Sequence, residues 1–154
     1  MTEIKHHKHS IGQIAYHFVW RPKYNISVFA EKQYHDYMIN ALMAVAAKWN
    51  IEIHEIEIMP NHIHIFAELQ PTISVSFALQ VLKGGSASLF FKRFPSWQRY
   101  FKKGHREAHL WSPGKFFRSI GSVTMQAVEN YIRNSNSWDF EYLKQFQMKL
   151  NPVR

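Results

Sequence analysis

Two histidines, His62 and His64, lie two residues apart in the alternating run Met59-Pro60-Asn61-His62-Ile63-His64-Ile65-Phe66-Ala67. In an extended strand, successive side chains point to opposite faces. His62, His64, Phe66 and Glu68 then share one face, while Ile63, Ile65, Ala67 and Leu69 share the other. The second set is wholly apolar and belongs in a core. The first set presents two imidazoles side by side on a rigid element. Neutral imidazole is a common ligand for divalent and transition metals, so the pair is half of a metal site. Ten histidines make some such pairs expected by chance. What distinguishes this pair is its phase against an apolar face.

A second group of residues suits binding rather than bond-making. Between residues 92 and 106, Lys92, Arg93, Arg99, Lys102, Lys103 and Arg106 are interleaved with Phe94, Trp97, Tyr100 and Phe101. Cations neutralise phosphates, and rings stack on unpaired bases. Each ring taken singly is better explained as completing a core. The charge cluster as a whole reads as a contact surface.

These residues need elements to position them. Ile14, Tyr16, Phe18 and Trp20 alternate with Gln13, Ala15, His17 and Val19, which predicts a strand over 11–20. Pro22 ends it, and Lys23 and Tyr24 fall in the loop beyond, where they could touch a ligand. Tyr34, Met38, Leu42, Val45 and Trp49 recur at helical steps, predicting a core helix over 31–49. A strand over 51–58 changes its apolar phase between Ile53 and Ile56, which predicts a bulge. The turn at Met59-Pro60-Asn61 makes it a hairpin with the histidine strand. Ser74 or Ser76 could cap a helix running to about residue 94. Gly84-Gly85 interrupts that helix, either as a break or for close approach of a backbone or a phosphate. A strand region over 109–120, broken at Ser112-Pro113-Gly114, precedes a last helix over 122–136. Ser122 is its N-cap, and Tyr131 lies at the edge of its buried stripe.

The composition bounds the rest. At 154 residues and 46% hydrophobic, the chain has enough for one domain with a real core. It is expected as a single domain over 1–154, with a flexible tail at 1–9 and a partly helical C-terminal tail at 137–154. Without cysteine, disulfides, zinc–cysteine sites and thiol catalysis are excluded. A net charge of +8 points to a polyanionic partner, nucleic acid first. No apolar run approaches a membrane span and no signal-peptide pattern opens the chain, so the expected location is the cytoplasm. The order strand–helix–strand–strand–helix–strand predicts an α+β fold, the ferredoxin-like or RRM-like antiparallel sheet with helices on one face. The C-terminal helix bearing Tyr131 is added to it, and the open face carries His62 and His64. That fold hosts many functions and decides none of them.

Five blocks occur in order: Tyr16-His17-Phe18-Val19-Trp20-Arg21-Pro22-Lys23-Tyr24, Met59-Pro60-Asn61-His62-Ile63-His64, Leu82-Lys83-Gly84-Gly85-Ser86, Leu110-Trp111-Ser112-Pro113-Gly114 and Val128-Glu129-Asn130-Tyr131-Ile132. Together they resemble the single-tyrosine HUH transposases of the smallest bacterial and archaeal insertion sequences, over roughly residues 9–136. The resemblance implies that His62 and His64 hold Mg²⁺ or Mn²⁺ and that Tyr131 is the nucleophile. It implies cleavage of single-stranded DNA through a 5′-phosphotyrosine link, followed by rejoining. It also implies a homodimer, in which the tyrosine helix of one subunit serves the histidines of the other, and hairpin recognition at element ends. Lys83, Lys92, Arg93, Arg99, Lys102 and Lys103 are the expected DNA contacts. Many relatives carry glutamine four residues after the tyrosine as a third ligand. Here that position is Ser135, and Asn134, Asn136, His54 or a water could substitute. Two other readings share the fold: a domesticated nuclease that processes palindromic repeats, and a non-catalytic protein that binds hairpin DNA.

Overall fold

β-branched and aromatic residues in period two build the central sheet, and their alternation decides which face each side chain takes. The structure, a computed structural model, describes residues 14–120 together with the backbone of 5–7 and 10–12. The helix expected over 122–136, Tyr131 and Ser135 on it, and the segment 137–154 lie outside the described residues.

Two short strands, β1 (Lys5–His7) and β2 (Ser10–Gly12), pair antiparallel with each other where a tail and the start of a strand were expected. The main sheet comprises β3 (Ala15–Trp20), β4 (Glu52–Met59), β5 (His62–Glu68) and β6 (Phe116–Ile120). Its order is β4-β5-β3-β6, and every neighbouring pair is antiparallel. With α1 (Lys32–Lys48) and α2 (Val75–Arg93) as crossovers, this is the expected α+β arrangement. Phe18, Trp20, Ile58, Ile63, Ile65 and Ala67 from the sheet pack with Met38, Leu42 and Val45 of α1 and Ala78, Leu79, Leu82 and Phe90 of α2. Strand β5 is central and buried along its whole length. Among the described residues, no helix is long and apolar enough to cross a membrane.

The bulge in β4 falls where the apolar phase changes. Ile53 pairs with Ala67 and Glu55 with Phe66, leaving His54 as the extra residue. That insertion lets Ile53 and Ile56, three apart, both reach the main core.

Gly84-Gly85 does not break α2, which runs unbroken past both. Ser74 is its N-cap, its hydroxyl accepting from the Phe77 N–H at 3.1 Å. A Cβ built at Gly85 would sit 2.8 Å from a Val45 methyl, so this glycine lets α1 and α2 approach closely. A Cβ at Gly84 would meet nothing within 4 Å. Gly84→Ala should therefore stabilise by up to about 1 kcal/mol, the helix-propensity difference. Gly85→Ala should destabilise by about 1 kcal/mol or more, because β-branched Val45 cannot rotate away. Chemical denaturation of both variants, with Val45→Ala added to rescue Gly85→Ala, checks the contrast.

Within the basic–aromatic segment, Pro95–Lys102 form a helix, α3. Phe94 and Trp97 stand edge-on to Tyr34 of α1, with centroids 4.8 and 5.7 Å away, and Phe101 is buried. Most of its rings therefore complete the core.

Candidate metal and nucleic-acid site

Registry places three strands behind the histidine pair. Val19 of β3 lies opposite His64, His17 opposite Phe66, and Arg118 of β6 opposite His17. From the other side, Met59 and Glu57 of β4 lie opposite His62 and His64. The face is not open as expected: His62 is 5% exposed and His64 is fully buried. Phe66, on the same face, clusters with Ala15 and Ile120.

Each ring of the pair has its Nδ1 engaged. His62 Nδ1 is 2.8 Å from Asn61 Oδ1, and His64 Nδ1 is 3.2 Å from His17 Nε2. The two ring centroids stand 5.0 Å apart. Hydrogen bonds at the second nitrogen fix tautomer and orientation, as ligating histidines require. Burial holds His64 well below the ordinary imidazole value, and His17 and His62 add to the effect. Burial, and then Arg118, lowers His17 to about 4. His64 and His17 are therefore neutral at pH 7, and neutral is the form in which His64 could bind a metal. Two imidazoles on one strand would be part of a donor set for a divalent ion.

The partner of His64, His17, went unread in the sequence. The sequence offers it only as a single histidine on an alternating strand, and cross-strand registry is what brings it to His64.

A second cluster lies further along the same face. His54 Nε2 is 3.1 Å from Glu68 Oε2 and 3.8 Å from Glu52 Oε1. Ligand atoms of Glu52, His54 and Glu68 all lie within 4.8 Å of one another, a set able to hold a divalent cation. The bulge aims His54 into it, against Phe66 at 5.2 Å between centroids.

These ionisations set a pH dependence for the metal-free fold. From pH 6.5 down to about 4 the unfolded chain protonates His17 and the folded chain does not. Stability from that group is complete above pH 6.5 and falls by about 1.4 kcal/mol per unit below it. His64 acts in the same direction. Glu57 opposes them. Burial, and then Glu55, raises its carboxyl to about 7. The folded state therefore holds that proton between pH 4.5 and 7, which adds stability as pH falls. Urea unfolding across pH 4.5–7.5 should show a loss toward acid, steeper in Glu57→Gln.

The expected DNA contacts divide. Lys92, Arg93, Arg99, Lys102 and Lys103 are exposed at the end of α2 and along α3. Lys83 is half-buried, and its Nζ donates to the Ser112 carbonyl at 2.8 Å. Burial, and then Lys115, lowers it to about 8. Ser86 accepts from Trp111 Nε1 at 3.1 Å. Two of the recurring blocks, 82–86 and 110–114, thus hold each other, fixing the segment that leads into β6.

Comparison with known proteins matches residues 10–135 to the family model "Transposase IS200 like". The ISDra2 transposase TnpA of Deinococcus radiodurans is 25% identical over 134 residues, 87% of this chain and 92% of that protein. The transposase for insertion sequence element IS200 of Salmonella typhimurium is 28% identical over 136 residues, 87% of this chain and 84% of that protein. Among solved structures, a putative transposase from D. radiodurans superposes with a TM-score of 0.67 at 24% identity, covering 88% of this chain and all of that one. A REP-associated tyrosine transposase bound to a REP hairpin gives 0.55 at 17% identity, covering 86% and 70%. At those identities the two structures establish the fold.

Proposed function

This chain belongs to the IS200-like transposase family, and from that premise we propose that it cuts and rejoins single-stranded DNA at insertion-sequence ends with Tyr131 as nucleophile. The observation that carries the reading is the buried histidine pair of β5, with ring centroids 5.0 Å apart and each Nδ1 held by a neighbouring side chain. His62 and His64 would hold Mg²⁺ or Mn²⁺, which when bound polarises the scissile phosphate and stabilises developing charge. The chain supplies the rest. Tyr131 attacks phosphorus through its phenol oxygen and loses its proton. The bond to the 3′-oxygen breaks, and that oxygen leaves as a 3′-OH. The 5′-phosphate stays on the tyrosine until another 3′-OH reverses the exchange. His17 and Asn61 hold the two rings in place. The exposed cations from Lys92 to Lys103 neutralise the strand's phosphates.

Two copies form the working unit in this reading, with the tyrosine helix of one reaching the histidines of the other. A second reading, processing of repeat hairpins without element movement, is favoured by the likeness to the hairpin-bound neighbour. A gel assay for covalent protein–DNA product separates these readings from simple binding. It uses single-stranded oligonucleotides from the gene's own flanks, with Mg²⁺, Mn²⁺ or chelator. A metal-dependent adduct supports the chemistry. Tight hairpin binding with no adduct under any metal sinks it.

A further inference from the structure

Backbone in the left-handed region is uncommon for residues other than glycine, and for a bulky side chain it is a strained state that needs a reason. Tyr24 (φ 63°), Asn25 (φ 56°) and Lys103 (φ 36°) all adopt it. Two chain-distant turns, after β3 and after α3, thereby converge. The Lys103 ammonium lies 4.6 Å from the centroid of Tyr24 and 4.6 Å from that of Tyr100. Lys23 approaches Tyr24 at 5.3 Å. The core has no use for either ring: Tyr24 is 49% exposed and Tyr100 45%. Yet both are held. Trp97 stands edge-on to Tyr100 at 5.4 Å, itself seated against Phe101 and Tyr34. The Tyr24 turn is pinned through Asn25 Oδ1, which accepts from Arg21 Nη1 at 3.2 Å and Asn61 Nδ2 at 3.1 Å.

Preorganised, solvent-facing rings that share the Lys103 ammonium match an unpaired base and its phosphate. Stacking takes the ring faces and the lysine takes the anion. We propose that Tyr24, Tyr100 and Lys103 form a stacking platform for an unpaired base of single-stranded DNA. The proposal rests on the reading that this chain works on single strands. It also joins the platform to the chemistry, because the residue that pins the Tyr24 turn, Asn61, is the one that engages His62 Nδ1.

The test is fluorescence anisotropy of a labelled oligothymidylate of about fifteen nucleotides, read over a salt series. Tyr24→Ala and Tyr100→Ala should each weaken binding roughly five- to a hundred-fold, the scale of one base–aromatic stack. Neither should alter the salt slope. Lys103→Gln should weaken binding and flatten the slope by about 0.7, one phosphate contact. Tyr24→Phe, which keeps the ring, should bind as wild type. Tyr24→Gly should lose binding while melting higher, since glycine relieves the positive φ. Wild-type binding that Tyr24→Ala and Tyr100→Ala leave intact overturns the platform alone. A Tyr24→Gly protein that melts lower and binds normally does so too, by making the residue structural. A wild-type protein with no affinity for the oligonucleotide at low salt overturns both the platform and the single-strand reading.

Discussion

Tyr131→Phe should bind hairpin and single-stranded oligonucleotides as tightly as the wild-type protein and form no covalent adduct with either. The substitution removes one oxygen and keeps the ring, so packing and DNA affinity should be unchanged within a factor of about two. Strand exchange should fall by on the order of 10⁴-fold or more, the scale on which loss of an enzymatic nucleophile acts. An unperturbed phenol has a pKa of about 10. Its activity at neutral pH should therefore depend on a positive charge at the site, and wild-type adduct yield should rise with pH in the presence of metal. Denaturing gels of labelled oligonucleotide mixed with each protein give the result directly. Adduct persisting in Tyr131→Phe would assign the nucleophile to another residue.

The second large effect is expected at the histidine pair. His62→Ala and His64→Ala should each lower adduct formation by on the order of 10³-fold, because charge stabilisation at a phosphate is worth several kcal/mol. The two differ in their side effects. His64 is fully buried and meets His17, so His64→Ala opens a hole beside a stranded ring and should also destabilise the fold. His62 sits at the first position of β5, with its partner next to it in sequence, and should cost less stability. His17→Gln should act more weakly, lowering metal affinity about 10- to 100-fold as an outer partner does. Calorimetric Mn²⁺ titrations alongside the adduct assay separate lost binding from lost chemistry. Unchanged Mn²⁺ affinity in both His62→Ala and His64→Ala would move the ion to Glu52, His54 and Glu68, and His54→Ala would then remove it.

The sequence made some parts of this molecule legible and hid others, for identifiable reasons. Strand alternation around Ile63 and Ile65 assigned the core face and the histidine face because period two leaves no third choice. The Ile53–Ile56 phase change announced the bulge, since three residues apart cannot share a strand face without an extra one. What alternation cannot supply is registry between strands distant in sequence. His17 meets His64, and Glu52 meets Glu68, only because β3 and β4 flank β5 at particular offsets. The role of Gly85 was open for a similar reason, as the Val45 methyl that requires it comes from another helix. Lys83 is expected among the DNA contacts, and its bond to the Ser112 carbonyl is hidden because that partner lies 29 positions downstream.

The bulge at His54 has a consequence for how such a site could arise. Removing that one residue would leave Ile53 opposite Ala67 and Glu55 opposite Phe66, a regular ladder with every core side chain still facing inward. Insertion of a single codon at that point therefore adds an imidazole to the far face without reworking the core. Before such an insertion, Glu52 and Glu68 would be like charges directly across from each other, a destabilising pair. The added ring gives both carboxylates a shared neighbour. A ligand set of two acids and a base is thus one small mutational step from an ordinary antiparallel hairpin.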